Sequence, residues 1–158
     1  MPITREQLVG LLFEMLPGLY IGGWPAANQA CRGKTLGPNV FVVNLANGKP
    51  MVSRRGVMVK VNDDMTLNSM QILDQCIDQV VASMRAEMVK GSPVIVHCHA
   101  GRQRSAAVIA AYIMTYEGLD LEATIAYMRA RKPDVFLPNV NFMTVLQRVE
   151  RDLQATKK

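Results

Sequence analysis

Cys98 and Arg104 stand six positions apart within the stretch Pro93–Met114, with Gly101 between them. Residues of these types at this spacing suit the chemistry of phosphate esters. A thiolate is a strong nucleophile, and a guanidinium presents a planar fork of donors that grips two phosphate oxygens at once. Val94 to Val96 reads as a buried strand, and Ser105 onward reads as an apolar, alanine-rich helix. A strand ending in a loop that feeds a helix aims backbone N–H groups and the positive end of the helix dipole at one point. The spacing therefore predicts an anion site built from His99, Ala100, Gly101, Arg102, Gln103 and Arg104, with Cys98 beneath the bound phosphorus. The field that binds the phosphate also lowers the thiol pKa, so binding and activation share one cause. Gly101 permits a backbone conformation that a Cβ would resist. Ser105 can donate to the sulfur when it becomes a leaving group, and His97 fixes the loop from behind.

Breaking a phosphate ester bond also requires a proton for the departing oxygen, which a nearby carboxylic acid supplies. Asn62-Asp63-Asp64 follows an expected strand at Val57–Val61 and precedes a long helical pattern. A strand, a crossover helix and the Cys98 strand form a unit with parallel strands, which puts their connecting loops on one edge. Asp63 or Asp64 then lies beside Cys98 as the acid, and the other serves to cap the helix. An ionised thiol working with a protonated acid predicts a bell-shaped pH profile.

The run His97-Cys98-x-x-Gly101-x-x-Arg104-Ser105 resembles the signature of the cysteine-dependent protein tyrosine phosphatases, above all their dual-specificity branch. Two further stretches carry the same resemblance. Leu16–Gly23 followed by Ala26-Ala27 is similar to the opening strand and turn of that branch. Arg131–Asn139 followed by Phe142, Leu146 and Glu150 is similar to its C-terminal end, so the likeness spans nearly the whole chain. It implies Cys98 as nucleophile, a phosphocysteine intermediate, Arg104 as the phosphate clamp, and Asp63, directly after the strand, as the acid. It also implies that Asn44 braces the phosphate loop, that neither cofactor nor metal takes part, and that phosphotyrosine and phosphoserine/phosphothreonine proteins are the substrates. His99 and Arg102 stand where phosphoinositide and phosphatidylglycerophosphate phosphatases of the superfamily place basic residues. Acidic lipid head groups or an RNA 5'-phosphate are thus the enzymatic alternative. A non-catalytic phospho-binding module is the alternative of another class, although such modules usually lose the cysteine, the arginine or the acid.

The elements that must position these groups read as follows. Thr4-Arg5-Glu6-Gln7 is a capping box opening a helix with Leu8, Leu11, Leu12 and Met15, ended by Pro17-Gly18. Leu19–Ile21 reads as a strand, Cys31–Pro38 as a loop, and Val40–Leu45 as a buried strand. Thr66 caps a helix carrying Met70, Leu73, Ile77, Val80, Val81 and Met84 and ending near Lys90-Gly91. Gly118 terminates the helix after Ser105, Asp120 caps the next, and a last helix carries Phe142 and Leu146. The expected fold is a single α/β domain over residues 1–158, with a central, mostly parallel sheet of about four or five strands flanked by helices on both faces.

With 158 residues, 49% of them hydrophobic, the chain can bury a continuous core without covalent staples. Three cysteines give no disulfide framework and point to a reducing, intracellular compartment. Cys31 or Cys76 would act as a resolving thiol only if it approached Cys98, and the inert reading is preferred. No apolar run reaches the roughly 20 residues of a membrane span, and no secretory signal precedes the first helix. A net charge of +5 favours acidic partners without identifying them. The cluster Arg129, Arg131 and Lys132 reads as solvated surface charge. No RNA-binding motif is visible, and no nucleic-acid partner is expected.

Overall fold

β5 (Val94–Cys98) is buried along its whole length, as a strand in the middle of a sheet covered on both faces must be. In the computed structural model, which describes residues 11–156, it forms the centre of a five-stranded sheet ordered β1-β2-β5-β3-β4. β1 (Phe13–Leu16) pairs antiparallel with β2 (Leu19–Gly23), and every other pairing is parallel. β3 (Phe41–Asn44) separates β5 from the edge strand β4 (Arg55–Met58). In the ladder Gly23 lies opposite Cys98, and Asn44 opposite His97. The carboxyl ends of β2, β3 and β5 therefore meet at one edge, where open α/β sheets bind their ligands.

The period-two alternation of strands assigns the core to two faces. Leu19, Ile21, Phe41, Val43, Val94, Val96 and Cys98 join the larger cluster, whereas Val42 and Ile95 join a smaller one with Ala27 and Val40. The smaller face is covered by α1 (Trp24–Arg32). The larger face is covered by α2 (Leu67–Val89), α3 (Arg104–Glu117), α4 (Leu121–Arg131) and α5 (Met143–Thr156). α3 is buried continuously from Arg104 to Met114. Its run of alanines lets it approach the sheet closely, and the apolar area it hides, at roughly 25 cal/mol per Å², fixes the direction in which its N-terminus points. Thr66 accepts from Ser69 N to cap α2, Asp120 accepts from Ala123 N to cap α4, and Gly118 ends α3 in the left-handed conformation that favours glycine.

Several elements differ from what their residues alone predict. The capping box at Thr4–Gln7 lies outside the described residues, but Phe13–Leu16 is a strand rather than the end of a helix. Gly18, at φ +84, makes the tight reversal after Pro17, and pairing with β2 gives the backbone of residues 13–16 partners that a lone helical turn would lack. Trp24–Arg32 is helical, with Pro25 in its first turn where a missing N–H costs nothing. The third expected strand is registered earlier, at Arg55–Met58, and Val59 and Val61 stay buried as the chain leaves the sheet. Lys132 is not surface charge. It is fully buried, its ammonium paired with Asp134 at 2.5 Å and lying over the Phe13 ring at 5.5 Å. Arg129 donates to the carbonyls of Val135 and Phe136 and so shapes the segment after α4. Among the described residues, no helix is long and apolar enough to cross a membrane.

His97 is wholly buried at the end of β5. Burial pushes its pKa from an ordinary 6.5 down to about 4, against the opposing pull of the Cys98 carbonyl. The unfolded chain thus protonates this ring as pH falls below 6.5, whereas the folded chain does so only near 4. Its contribution to stability is complete above that window and is lost on acidification through it, by on the order of 3 kcal/mol. Urea titrations of wild type and His97→Asn at pH 7 and pH 4.5 check this: the wild type should lose more stability between these values than the variant does.

Candidate active site

Cys98 closes β5 and begins the loop to α3. Its sulfur is 3.1 Å from Ser105 Oγ and accepts from Gly101 N at 3.2 Å. Burial pushes the thiol pKa up, but the Ser105 hydroxyl and N–H, the Arg104 charge and the Gly101 N–H outweigh it, and the net direction is down. Gly101 adopts φ +72, and a Cβ there would meet the Gly22 backbone carbon at 2.7 Å. Only glycine lets the loop lie against β2 while turning its amide toward the sulfur.

Arg104 opens α3 and is 7% exposed, with Nη1 donating to the Val61 carbonyl at 3.1 Å. That bond, made by the strand-exit segment, aims the guanidinium. Its Nε is buried and makes no hydrogen bond among the described residues. No side chain caps α3, so its N-terminal end is left open toward an anion. Cys98, Arg104, Asp63, His99, Ala100, Arg102 and Gln103 line one cavity of ≈ 300 Å³, together with Leu137, Pro138 and Asn141.

The two aspartates have different surroundings. Asp64 accepts from Thr66 N, Thr66 Oγ1 and Ser69 Oγ at the start of α2. These bonds, Ser69 foremost, hold its carboxyl below the ordinary range, and they tie it to Thr66, the cap of α2. Asp63 faces the cavity, where Asn141 Nδ2 donates to its Oδ1 at 2.7 Å. Leu137, Pro138 and Asn141 complete the cavity from far along the chain. Their signal in the sequence is the stretch Arg131–Asn139, similar to the family's C-terminal end, which holds the first two and ends just before the third.

Asn44 requires a correction. Its side chain donates to the carbonyls of Lys49 and Pro50 and accepts from Ala46 N, so it braces the β3–β4 loop rather than the Cys98 loop. That loop reaches the site through Asn47, whose carbonyl is 3.3 Å from His99 Nε2. His99 is exposed, its carbonyl accepts from Trp24 N at 3.2 Å, and Arg102 lines the cavity beside it. His97 sits behind the loop, its Nδ1 3.4 Å from the Cys98 carbonyl. Gln103 is 5% exposed and gives its amide to the 137–141 segment. Neither Cys31 nor Cys76 lines the cavity, and burial pushes both thiols up, away from reactivity.

The chain is similar to known phosphatases. The family model described as dual specificity phosphatase, catalytic domain matches residues 19–152. Dual specificity protein phosphatase 1 of Arabidopsis thaliana is 28% identical over 154 residues, covering 96% of this chain and 74% of the plant protein. Dual specificity phosphatase 28 of Homo sapiens is 33% identical over 151 residues, covering 91% of this chain and 80% of the human protein. The crystal structure of a mouse putative dual specificity phosphatase complexed with zinc tungstate superposes with a TM-score of 0.79 at 29% identity, covering 92% of this chain and 90% of the mouse chain.

The donors around Cys98 make a measurable demand on its ionisation. Carboxymethylation by iodoacetate, followed against pH, should show a half-point below the ordinary thiol value of 9.0. Ser105→Ala removes one donor and should move that half-point upward; an unchanged half-point would show that the hydroxyl does not stabilise the thiolate.

Proposed function

Since the chain belongs to the dual specificity phosphatase family, we propose that Cys98, Arg104 and Asp63 act together to hydrolyse phosphotyrosine and phosphoserine/phosphothreonine in proteins through a phosphocysteine intermediate. The chain is a cysteine-dependent protein phosphatase, a hydrolase. The observation that carries the assignment of roles is the single cavity into which a depressed-pKa thiol, a buried guanidinium and an aspartate converge.

The phosphoryl group sits on the loop amides and the N-terminus of α3, with Arg104 holding two of its non-bridging oxygens. The Cys98 thiolate attacks phosphorus in line as the bond to the ester oxygen breaks, and Asp63 gives its proton to that oxygen. The charge that builds on the equatorial oxygens meets donors already in place, which is where most of the rate enhancement arises. In the second step the Asp63 carboxylate takes a proton from water as the water oxygen bonds to phosphorus. The sulfur–phosphorus bond breaks, inorganic phosphate leaves, and Ser105 Oγ steadies the departing thiolate. These steps use the protein's own backbone and side-chain groups together with water. Three free cysteines, one of them the nucleophile, fit a reducing compartment. His99 is tied to Asn47 O, so Arg102 carries most of any preference for a multiply charged head group.

Purified, reduced protein should hydrolyse phosphotyrosine and phosphothreonine peptides without added metal and should be inhibited by vanadate. Cys98→Ser should abolish turnover, Arg104→Lys should impair it by removing the two-pronged grip, and Asp63→Ala should lower kcat on phosphothreonine by about 10²- to 10⁴-fold. Capture of phosphopeptides with no turnover by the folded wild type would instead make the chain a binding module. Turnover confined to phosphoinositides would shift the substrate assignment to lipid head groups.

A further inference from the structure

Asp63 and Asp64 are neighbours, yet their carboxylates are held by different means. Asp64 is fixed by donors from its near neighbours Thr66 and Ser69 at the start of α2. Asp63 receives its side-chain hydrogen bond from Asn141, 78 residues away in the sequence, at 2.7 Å. Asn141 is itself placed from the phosphate loop. Its backbone N–H donates to Gln103 Oε1 at 3.1 Å, and Gln103 Nε2 donates to the carbonyls of Asn139 at 2.7 Å and Leu137 at 3.2 Å. Gln103 immediately precedes Arg104, and every polar atom of its buried amide is committed to the 137–141 segment. Although it lies in the expected anion loop, it faces the wall of the cavity.

We infer that Gln103 and Asn141 form a positioning relay that registers the acid Asp63 against the loop carrying Cys98 and Arg104. This inference rests on the assignment of Asp63 as the acid. An exposed aspartate on a strand-exit loop samples several rotamers, and a displacement of about 1 Å at a reacting group can cost on the order of 10²-fold in rate. The bond from Asn141 does more than restrict that motion. With Oδ1 occupied as an acceptor, the transferable proton resides on Oδ2, the oxygen left free to face the leaving group. Because Gln103 belongs to the loop that binds the phosphoryl group, the acid is registered to the substrate rather than to α2, the element that follows it in sequence.

The test is the dependence of kcat/KM on leaving-group acidity, measured with a graded series of aryl phosphates and a phosphothreonine peptide. An acid matters most when the leaving oxygen is basic. Wild type should therefore show a shallow dependence and Asp63→Ala a steep one. Asn141→Ala and Gln103→Ala should fall between them, losing about tenfold more on the phosphothreonine peptide than on the most acidic phenol ester. Asn141→Asp preserves shape but removes the donor, so it should steepen the dependence as the alanine does. A general disturbance of the fold would lower all substrates in parallel and leave the slope at the wild-type value. If Asp63→Ala is steep while the Asn141 and Gln103 variants keep the wild-type slope, the relay is overturned and the acid stands. If Asp63→Ala itself keeps the wild-type slope, the assignment of the acid fails first.

Discussion

The site depends on one interaction: that between surrounding donors and a sulfur whose charged form they favour although it is almost completely enclosed by protein. Cys98 is 3% exposed, and burial alone would hold its thiol neutral and unreactive. The opposing donors all come from the six residues that follow Cys98 and the one after them, through Gly101 N, the Arg104 charge, and Ser105 Oγ and N. They converge only because the chain turns sharply from β5 into α3. That turn needs the left-handed backbone at Gly101 and its close approach to Gly22. The approach is available because β2 and β5 pair in parallel, with Gly23 opposite Cys98. An electrostatic requirement at one atom is thus met by the packing of two strands and a helix.

Reactivity and stability are linked at the same place. His97 is buried beside Cys98, and its ring stays neutral at ordinary pH because burial penalises the charged form. The neighbouring sulfur in the same buried strand end is pushed the other way because donors surround it. The difference lies in hydrogen bonding: His97 Nε2 has no partner among the described residues, whereas the sulfur has three donors. Adjacent residues thereby take opposite responses to one low-dielectric environment.

The wall opposite Cys98 is built by segments remote in sequence. Arg129 at the end of α4 fixes the carbonyls of Val135 and Phe136, and Phe136 N donates to the Arg102 carbonyl at 2.8 Å. Gln103 then holds residues 137–141. The pair of buried Lys132 and half-buried Asp134 lies in the same connection, which explains why a cluster that reads as solvated basic residues is partly internal. Charge in this stretch serves to order a long irregular segment over the phosphate loop.

The strand ending at Cys98, the glycine turn to Arg104, the helix behind it and the capped starts of α2 and α4 were legible in the sequence, because each is set by contacts within a few residues: a turn glycine, a cap, an apolar period. The sequence also narrowed the candidate acid to Asp63 or Asp64 without choosing on local grounds. The choice between their surroundings was made by Ser69 and Thr66 on one side and Asn141 on the other. Only the first of these contacts is local. β1, the register of β4 and the partner of Asn44 were likewise settled by pairing across the sheet, where a strand's alternatives differ little in intrinsic preference and the available neighbour decides. What the residues alone determined was the chemistry this protein carries. What the tertiary structure decided was which groups meet that chemistry from the far side, because a hydrogen bond between distant segments exists only once the core has brought them together.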